Sequence, residues 1–255
     1  MRRARLLLVS ALIAASTLAS TAPGTFAFQG QVRSDSDGFS YKCLGYTDTY
    51  PQQLYTLALS QMAKLGYLVT DAAIGPAFTR NAFLNTVFKD YAVYVHSHGD
   101  NYWAASGYPN VDSGFLQDPG TSRCNDSSVD IVRASSIKAA TAGGGFNLVI
   151  MSTCSLGSDS STMPGAFQIE KTKIGIQPEF YLGYVGHVYD SSMLRFEQAF
   201  WSYINSGNPS ATLWGAFTYA NSIGGYAYVD AANPFKANWW GSATYKGRPT
   251  SQGLW

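Results

Sequence analysis

The stretch NLVIMSTCSLGS, residues 147–158, carries an apolar, strand-like run directly into a cysteine. Residues 148–151 are continuously apolar, which is typical of a strand covered on both faces of a parallel sheet. Cys154 comes shortly after this run and is itself followed by small polar residues. The segment therefore predicts a buried strand with a thiol just beyond its carboxyl end.

A second stretch, YAVYVHSHGD at residues 91–100, has the same construction. Its apolar run covers residues 91–95 and is followed by His96, Ser97 and His98. Sites in open parallel sheets gather at the carboxyl ends of the strands. If the two strands share one sheet, His98 and Cys154 lie at the same edge of that sheet.

Helical and strand-like patterns alternate over most of the chain. Apolar spacing predicts helices over 52–64, 79–88, 191–205 and 210–220, and further strands over 67–72, 129–133 and 180–185. Such alternation implies right-handed crossovers, so the predicted fold class is α/β, with a mostly parallel central sheet flanked by helices on both faces. Residues 28–40 are polar and predict a loose lead-in, and the Trp/Gly-rich tail, 223–255, gives no clear pattern.

The first 27 residues have the composition of a secretory signal peptide. A basic head is followed by an apolar run over residues 6–15, and Thr25 and Ala27 suit a cleavage site. We therefore expect residues 1–27 to be removed, residues 28–255 to form one domain, and the mature protein to be secreted. Its formal charge falls from +1 to about −2 without the three leader arginines, which gives no reason to expect nucleic acid or a membrane surface as a partner.

The cysteine count fits an oxidising compartment. The mature chain has three cysteines, an odd number, so at least one thiol is left over. Cys43 and Cys124 both lie in polar, turn-like sequence, whereas Cys154 alone follows an apolar run. We expect a disulfide between Cys43 and Cys124, with Cys154 free.

A free cysteine is a useful nucleophile only as a thiolate, so it needs a neighbouring base or cation. His98 is the best placed of the three histidines for this role. Gly99 follows it and has no side chain, so its N–H can approach a substrate carbonyl closely. The Gly99 and Cys154 N–H groups are candidates for an oxyanion hole.

These two motifs, in this order and spacing, resemble the caspase-like cysteine peptidases, the group that includes caspases, legumains, gingipains and clostripain. YAVYVHSHGD looks like the histidine motif of that group, and NLVIMSTCSLGS looks like its cysteine motif. The resemblance covers about residues 67–220. It implies a caspase-like three-layer fold with a His98/Cys154 dyad, a thioester acyl-enzyme, a peptide or protein substrate and no cofactor. Thr153 is a departure, because many members have alanine before the cysteine.

The resemblance also suggests where a substrate side chain binds. Asp190, His187 and Asp159 border the expected groove, and an acid there would select lysine or arginine by a charge-assisted pair. Relatives are often activated by cleavage in the loop that follows the cysteine. Lys171 and Lys173 lie in that loop, so self-cleavage near them is a further expectation.

A metal hydrolase is the first alternative. HSHGDN is close to the His-x-His-x-Asp-His motif of metallo-β-lactamase-like enzymes, in which His96, His98 and Asp100 would be ligands. His187 offers one more ligand, but Asn101 stands where the motif has its last histidine. A serine hydrolase is less favoured still, because the chain contains no Gly-x-Ser-x-Gly.

A non-catalytic binding module is the second alternative. A degenerate relative would keep the fold and bind without cutting. The 17 tyrosines and six tryptophans, with NWWGS at residues 238–242, could equally form a binding surface or fill a core. The motifs favour the enzyme, and the sequence thus predicts an exported cysteine endopeptidase.

Overall fold

The computed structural model describes residues 28–34, 49–100, 112–116, 131–141, 144–173, 175–228 and 234–250. The strands are β1 (Gln29–Ser34), β2 (Leu68–Ile74), β3 (Ala92–His96), β4 (Gly99–Asp100), β5 (Gly114–Leu116), β6 (Ile131–Arg133), β7 (Leu148–Ser152), β8 (Phe180–Tyr184) and β9 (Ala237–Gly241). The α-helices are α1 (Tyr50–Leu65), α2 (Arg80–Leu84), α3 (Ala134–Ala140), α4 (Met163–Ala166), α5 (Asp190–Ile204) and α6 (Leu213–Ile223).

The main sheet has six strands in the order β2-β1-β3-β7-β8-β9. All neighbouring pairs are parallel except β8 and β9, which are antiparallel. A small antiparallel sheet, β4-β5-β6, begins just beyond the carboxyl end of β3. Because β3 and β7 pair directly, the two motif strands end side by side at the carboxyl edge of the main sheet.

Helices cover both faces of this sheet. Alternate residues of each buried strand enter two separate apolar clusters: Tyr94 and Ile150 join the one that contains α1, α5 and α6, and Val93 and Val149 join the other. The alternation follows from the two-residue period of a strand. The predicted α/β class, with a mostly parallel sheet between two helical layers, is therefore confirmed. In the described part of the chain, no helix has the length and apolar character needed to cross a membrane.

The amino-terminal strand departs from the sequence prediction. The polar character of residues 28–40 predicts a lead-in, but Gln29–Ser34 forms β1, between β2 and β3. Its polar side chains are buried because distant residues provide their partners. Gln31 Nε2 donates to Asp90 Oδ2 at 2.7 Å, and an Arg33 guanidinium nitrogen lies 3.8 Å from Asp71 Oδ1.

The carboxyl-terminal tail adds the last strand. Ala237–Gly241 forms β9 on the edge of the sheet, so the sheet uses chain on both sides of residues 67–220. Trp239 and Trp240 are both buried there; Trp239 stacks on Phe180, with 5.5 Å between the ring centroids. These two tryptophans fill the two helical interfaces and do not form an exposed binding surface.

The buried Asp90 leads to a prediction about stability and pH. Desolvation, together with the nearby charge of Asp71, raises the pKa of Asp90 to about 8, and Arg33 and Gln31 only partly oppose this. Asp90 therefore stays protonated in the folded protein up to about pH 8, whereas in the unfolded chain it loses its proton near pH 4. The free energy of unfolding should fall as pH rises from about 4 to 8, by up to about 1.4 kcal/mol per pH unit from this group.

Asp90→Asn should flatten this dependence, because asparagine stays neutral and has nearly the same shape. Urea unfolding at pH 5, 6, 7 and 8 would measure it. The variant should gain stability over the wild type as pH rises. Parallel stability curves for the two proteins would contradict the assignment.

Candidate active site

The pairing of β3 with β7 places the two motifs together. His96 is opposite Ser152 in the parallel register, and His98 and Cys154 each lie two residues further along. Both His98 and Cys154 are half-buried, whereas the strand residues before them are fully buried. The sequence prediction that these two residues reach the same sheet edge therefore agrees with the observed register.

Gly99 packs directly against the segment that carries the cysteine. A Cβ atom at Gly99 would lie 2.7 Å from the Cβ of Thr153 and 2.8 Å from the carbonyl oxygen of Cys154. Real Cβ atoms do not approach other atoms this closely, so a side chain at Gly99 would push the two segments apart. The absence of a side chain thus lets Gly99 pack against the Thr153 side chain and the Cys154 carbonyl oxygen.

The turn after Cys154 is sharp and firmly held. Ser155 has φ +62°, a conformation that costs energy in a residue with a side chain. Its N–H donates to the Gly186 carbonyl at 2.9 Å, and the Leu156 N–H donates back to the Cys154 carbonyl at 2.8 Å. Gly157 N–H donates to the Tyr184 carbonyl at 2.7 Å, which fixes the turn to the end of β8. These contacts define the direction in which Cys154 leaves the sheet.

The Cys154 sulfur contacts the backbone of Val188. The Val188 N–H lies 3.5 Å from Sγ as a donor, and the Val188 carbonyl lies 3.8 Å from Sγ as an acceptor. Val188 is held in place by an antiparallel bridge to Tyr228. The Val188 N–H can donate to a thiolate, whereas the Val188 carbonyl can accept only from a thiol, so this backbone pair provides a partner for either protonation state of Cys154.

His96 lies behind this edge as a buried positioning residue. It is 2% exposed, its Nδ1 is 3.0 Å from the Ser152 carbonyl, and its Nε2 is 3.9 Å from Asp190 Oδ2. Because a carbonyl can only accept, Nδ1 carries a hydrogen. The ring therefore joins β3, β7 and the start of α5, and is not directed at Cys154 by any of these contacts.

The three predicted substrate-binding residues have different surroundings. Asp190 is the first residue of α5, two residues after Val188, and its side chain is 16% exposed. His187 is exposed beside Val188. Asp159 is also exposed, but Asn238 Nδ2 donates to its Oδ1 at 3.3 Å. Of the two acids, Asp190 has the more direct connection to Cys154. It lies two residues after Val188, and the Val188 backbone contacts the Cys154 sulfur.

The two loop lysines cover the edge strand. The Lys171 ammonium lies 5.3 Å from the centre of the Trp240 ring, and the Lys173 ammonium lies 5.7 Å from that of Trp239. Both lysine side chains are exposed on their outer sides. Self-cleavage near Lys171 and Lys173 stays a prediction.

The side chain of Asp100, one of the three ligands in the metal alternative, lies outside the described residues. In the ranges that the structure describes, no group of three histidine, cysteine or acidic residues is arranged to hold a metal ion. The two ring nitrogens of His96 face Ser152 and Asp190, which leaves them poorly placed to ligate together with His98. The predicted disulfide falls outside the described residues, since neither Cys43 nor Cys124 is among them.

A surface cavity is lined in part by the segment that follows Cys154. Its volume is about 560 Å³, and Ser160, Ser161 and Thr162, from the segment after Cys154, line one side of it. Lys138 and Lys171 line it as well. Neither Cys154 nor His98 is among its lining residues, so the cavity does not contain the reactive groups.

Thr153, the departure from the cysteine motif, gives a specific prediction. Its hydroxyl is fully buried and has no hydrogen-bond partner among the described residues. Thr153→Val keeps the shape and removes this unpaired group, so the free energy of unfolding should rise by about 1 kcal/mol. Urea unfolding measures the change. A loss of stability of similar size would show that the hydroxyl has an essential partner.

Two features of the site have little signal in the sequence. The Val188 contact uses backbone atoms, which any residue provides. The conformation of Ser155 is determined by contacts with Gly186 and Tyr184, which are distant in the chain. Gly157 and Gly183 did offer a signal, because isolated glycines beside strands often mark a close backbone approach. A Cβ at Gly157 would lie 2.3 Å from the Gly183 carbonyl oxygen.

Comparison with known proteins gives only distant matches. No protein-family model matches the chain, and no curated protein is significantly similar to it. Among solved structures, the Arg-specific cysteine proteinase gingipain R is similar with a TM-score of 0.48 at 12% identity, over 75% of this chain. The chain spans only 40% of that protein. A structural-genomics protein from Geobacter sulfurreducens is similar with a TM-score of 0.50 at 11% identity, over 89% of this chain and 96% of its own. At these identities the likeness concerns the fold alone.

Proposed function

We propose that the protein is an exported cysteine endopeptidase in which Cys154 is the nucleophile and His98 the general base and acid. One observation carries the proposal: the histidine and the cysteine follow two adjacent parallel strands, with Gly99 packed against the Thr153 side chain and the Cys154 carbonyl oxygen. The contact of the Cys154 sulfur with the Val188 N–H supports it, because this N–H can donate to the thiolate that the reaction needs. The leader-like segment over residues 1–27 supports export.

The proposed reaction has two halves. His98 takes the thiol proton, and the Cys154 thiolate attacks the peptide carbonyl to give a tetrahedral oxyanion. The oxyanion accepts hydrogen bonds from the Gly99 and Cys154 N–H groups. His98 then gives its proton to the departing amine, which leaves a thioester on Cys154. In the second half His98 takes a proton from water, the hydroxide attacks the thioester, and the acid product leaves as the thiol is restored.

No cofactor takes part in this scheme, so a chelator provides a direct test. The wild type should hydrolyse fluorogenic peptides equally well with and without a chelator, and iodoacetamide should inactivate it. Activity that is lost to the chelator and survives complete alkylation of Cys154 would favour a metal hydrolase. A protein that binds peptides without cutting any of them would favour the binding module.

The substrate class follows from the acid at the start of α5. Asp190 lies where the amino-terminal end of a 15-residue helix stabilises a negative charge. Val188, two residues earlier, contacts the Cys154 sulfur, so a substrate bound at sulfur passes close to Asp190. We propose that Asp190 accepts hydrogen bonds from a lysine or arginine side chain that precedes the scissile bond.

Asp190→Asn should therefore lower kcat/KM for peptides with lysine or arginine at this position by at least about 10-fold, while peptides with an uncharged residue lose little. Asp159→Asn is the matched control, because Asp159 is the other acid that the sequence singles out. Steady-state kinetics on a peptide panel measures both variants. If Asp159→Asn alone loses the preference, Asp159 is the selecting acid. If neither variant loses it, the specificity lies elsewhere.

A further inference from the structure

A fully buried carboxyl group lies directly beneath the candidate site. Glu197, on α5, is 0% exposed. The Tyr94 hydroxyl on β3 lies 2.9 Å from its Oε2, and the Tyr184 hydroxyl on β8 lies 3.1 Å from its Oε1. Both tyrosines are themselves fully buried. One carboxyl group thus connects two strands of the sheet to the helix that covers them.

The hydrogen bonds of the Tyr184 hydroxyl depend on whether Glu197 carries a proton. The Tyr184 hydroxyl has one hydrogen but two acceptors within reach, Glu197 Oε1 and the Met193 carbonyl at 3.5 Å. If Glu197 is ionised, both tyrosines donate to it and the Met193 carbonyl loses its link to β8. If Glu197 is neutral, its own O–H donates to Tyr184, and Tyr184 donates to Met193, while Tyr94 still donates to the other carboxyl oxygen.

The neutral arrangement reaches the site through the first turns of α5. Met193 is in the same helix as Asp190, and Asp190 faces His96. The Met193 sulfur lies 3.6 Å from the Ser152 hydroxyl. Ser152 is the last residue of the cysteine strand, and its carbonyl faces the His96 ring. The backbone of Tyr184 also holds the turn after Cys154.

We propose that Glu197 is a positioning residue that acts as a neutral carboxylic acid, and that its hydrogen-bond chain through Tyr184 to Met193 keeps the first turns of α5 seated on the end of β8, which holds the turn after Cys154. This proposal rests on the proposed function for its kinetic consequence, although the geometry of the cluster stands without it. When Glu197 ionises, the chain to Met193 breaks and a buried charge appears under the site. Both changes loosen the contact between α5 and the strand ends.

The electrostatic surroundings place this change near neutral pH. Burial raises the pKa of Glu197 to about 7; hydrogen bonds from Ser152, Tyr94 and Tyr184 lower it and the charge of Asp190 raises it. Burial keeps the pKa values of both tyrosines well above 10, so neither one ionises in this range. The neutral form of Glu197 therefore dominates at pH 6, and the ionised form dominates at pH 8.5.

The remaining charged neighbours lie beyond these partners. His96 faces Asp190. Tyr226, in the segment after α6, contributes to raising the pKa of Tyr184. The Arg195 guanidinium lies 5.4 Å from the centre of the Tyr226 ring. These groups surround the cluster from α5 and the adjoining segments.

Glu197→Gln distinguishes positioning from simple packing. The glutamine amide can donate to Tyr184 and accept from Tyr94, as the neutral acid does, but it cannot ionise. We expect kcat/KM of this variant within about 3-fold of the wild type at pH 6 and about 10-fold or more above it at pH 8.5, where only a few per cent of a group with pKa near 7 is still neutral. Tyr184→Phe, which breaks the chain, should lose about 10-fold at pH 6.

Glu179→Gln is the matched control. Glu179 is also a buried acid with its pKa raised by desolvation to about 7, but it precedes the amino end of β8, away from the site. Its variant should show the wild-type profile of kcat/KM against pH. Identical profiles for Glu197→Gln and the wild type would overturn the proposal, and so would a normal kcat/KM for Tyr184→Phe.

The rate of Cys154 alkylation by iodoacetamide keeps this test separate from the proposed function. If the wild type hydrolyses no peptide, the proposed function fails, but the ratio of alkylation rates still reports on the position of Cys154. That ratio, Glu197→Gln over wild type, should rise above pH 7, while the ratio for Glu179→Gln stays near one. A ratio that stays near one for Glu197→Gln as well would overturn the positioning role.

Discussion

Replacement of Cys154 by alanine is expected to lower kcat/KM for peptide hydrolysis at least about 1000-fold, because the proposed thioester forms on the Cys154 sulfur and alanine has no nucleophilic atom to replace it. The stability should change by no more than about 1 kcal/mol, since Cys154 is half-buried and the hydrogen bonds of its sulfur to the Val188 backbone are long and weak. His98→Ala should cause a loss of similar size. The double variant should be no worse than either single variant, because nucleophile and base act as one unit.

Thr153→Val provides the control for this experiment. It changes the neighbouring buried side chain and leaves the thiol in place, so kcat/KM should stay within a few-fold of the wild type. Steady-state kinetics and urea unfolding on all four variants separate loss of chemistry from loss of fold. Peptide hydrolysis that survives in Cys154→Ala, or a purely multiplicative effect in the double variant, would contradict the dyad.

The second large effect concerns the backbone behind the cysteine. A Cβ at Gly157 would lie 2.3 Å from the Gly183 carbonyl oxygen and 2.7 Å from the Tyr184 nitrogen. Both are backbone atoms of a buried strand, so neither can rotate away as a flexible side chain can. Gly157→Ala should lower the free energy of unfolding by about 3 kcal/mol or more. For a domain of this size the melting temperature should fall by about 6–12 °C.

Gly165→Ala is the matched control for this glycine. Gly165 is an exposed residue of α4, and a Cβ there would meet nothing within 4 Å. Alanine in a helix is favoured over glycine by about 0.5–1 kcal/mol, so this variant should be as stable as the wild type or slightly more stable. Equal melting temperatures for Gly157→Ala and Gly165→Ala would show that the turn after Cys154 can relax.

The buried strands of the motifs were predictable because their information is local. The apolar runs before His96 and Ser152 are long enough to indicate strands covered on both faces, and the structure has β3 and β7 there. Thr79 was predictable as a helix cap for the same reason, and its hydroxyl accepts from the Ala82 N–H at 3.1 Å. The order of the strands in the sheet then brings the two motifs together.

Strand β1 could not be predicted from its own residues. Gln31, Arg33 and Ser34 look like surface residues, and they are buried only because Asp90, Asp71 and the Pro51 carbonyl offer partners from distant parts of the chain. Strand β9 is similar, since its tryptophans become core residues only after β8 is in place. Long-range pairing of this kind leaves no periodic pattern in a single segment.

The burial of Glu197 is indicated by a pattern in the sequence. Met193, Phe196, Glu197 and Phe200 follow the spacing of one helix face, so Glu197 stands on the inner stripe of α5. A charged residue among apolar neighbours at that spacing indicates a buried polar contact. Its partners, Tyr94 and Tyr184, lie on apolar strands, and the sequence alone does not indicate which group their hydroxyls bind.

Covalent labelling with a substrate-like inhibitor tests the central claim most directly. The wild type, its Cys154→Ala variant and its His98→Ala variant would be incubated with a peptidyl acyloxymethyl ketone that carries lysine or arginine before the reactive carbonyl, with and without a chelator. Intact-mass measurement and peptide mapping should show one adduct per chain, on Cys154, in the wild type alone and irrespective of the chelator. Continued peptide hydrolysis by a wild-type protein whose Cys154 remains unmodified would contradict the assignment of Cys154 as the nucleophile.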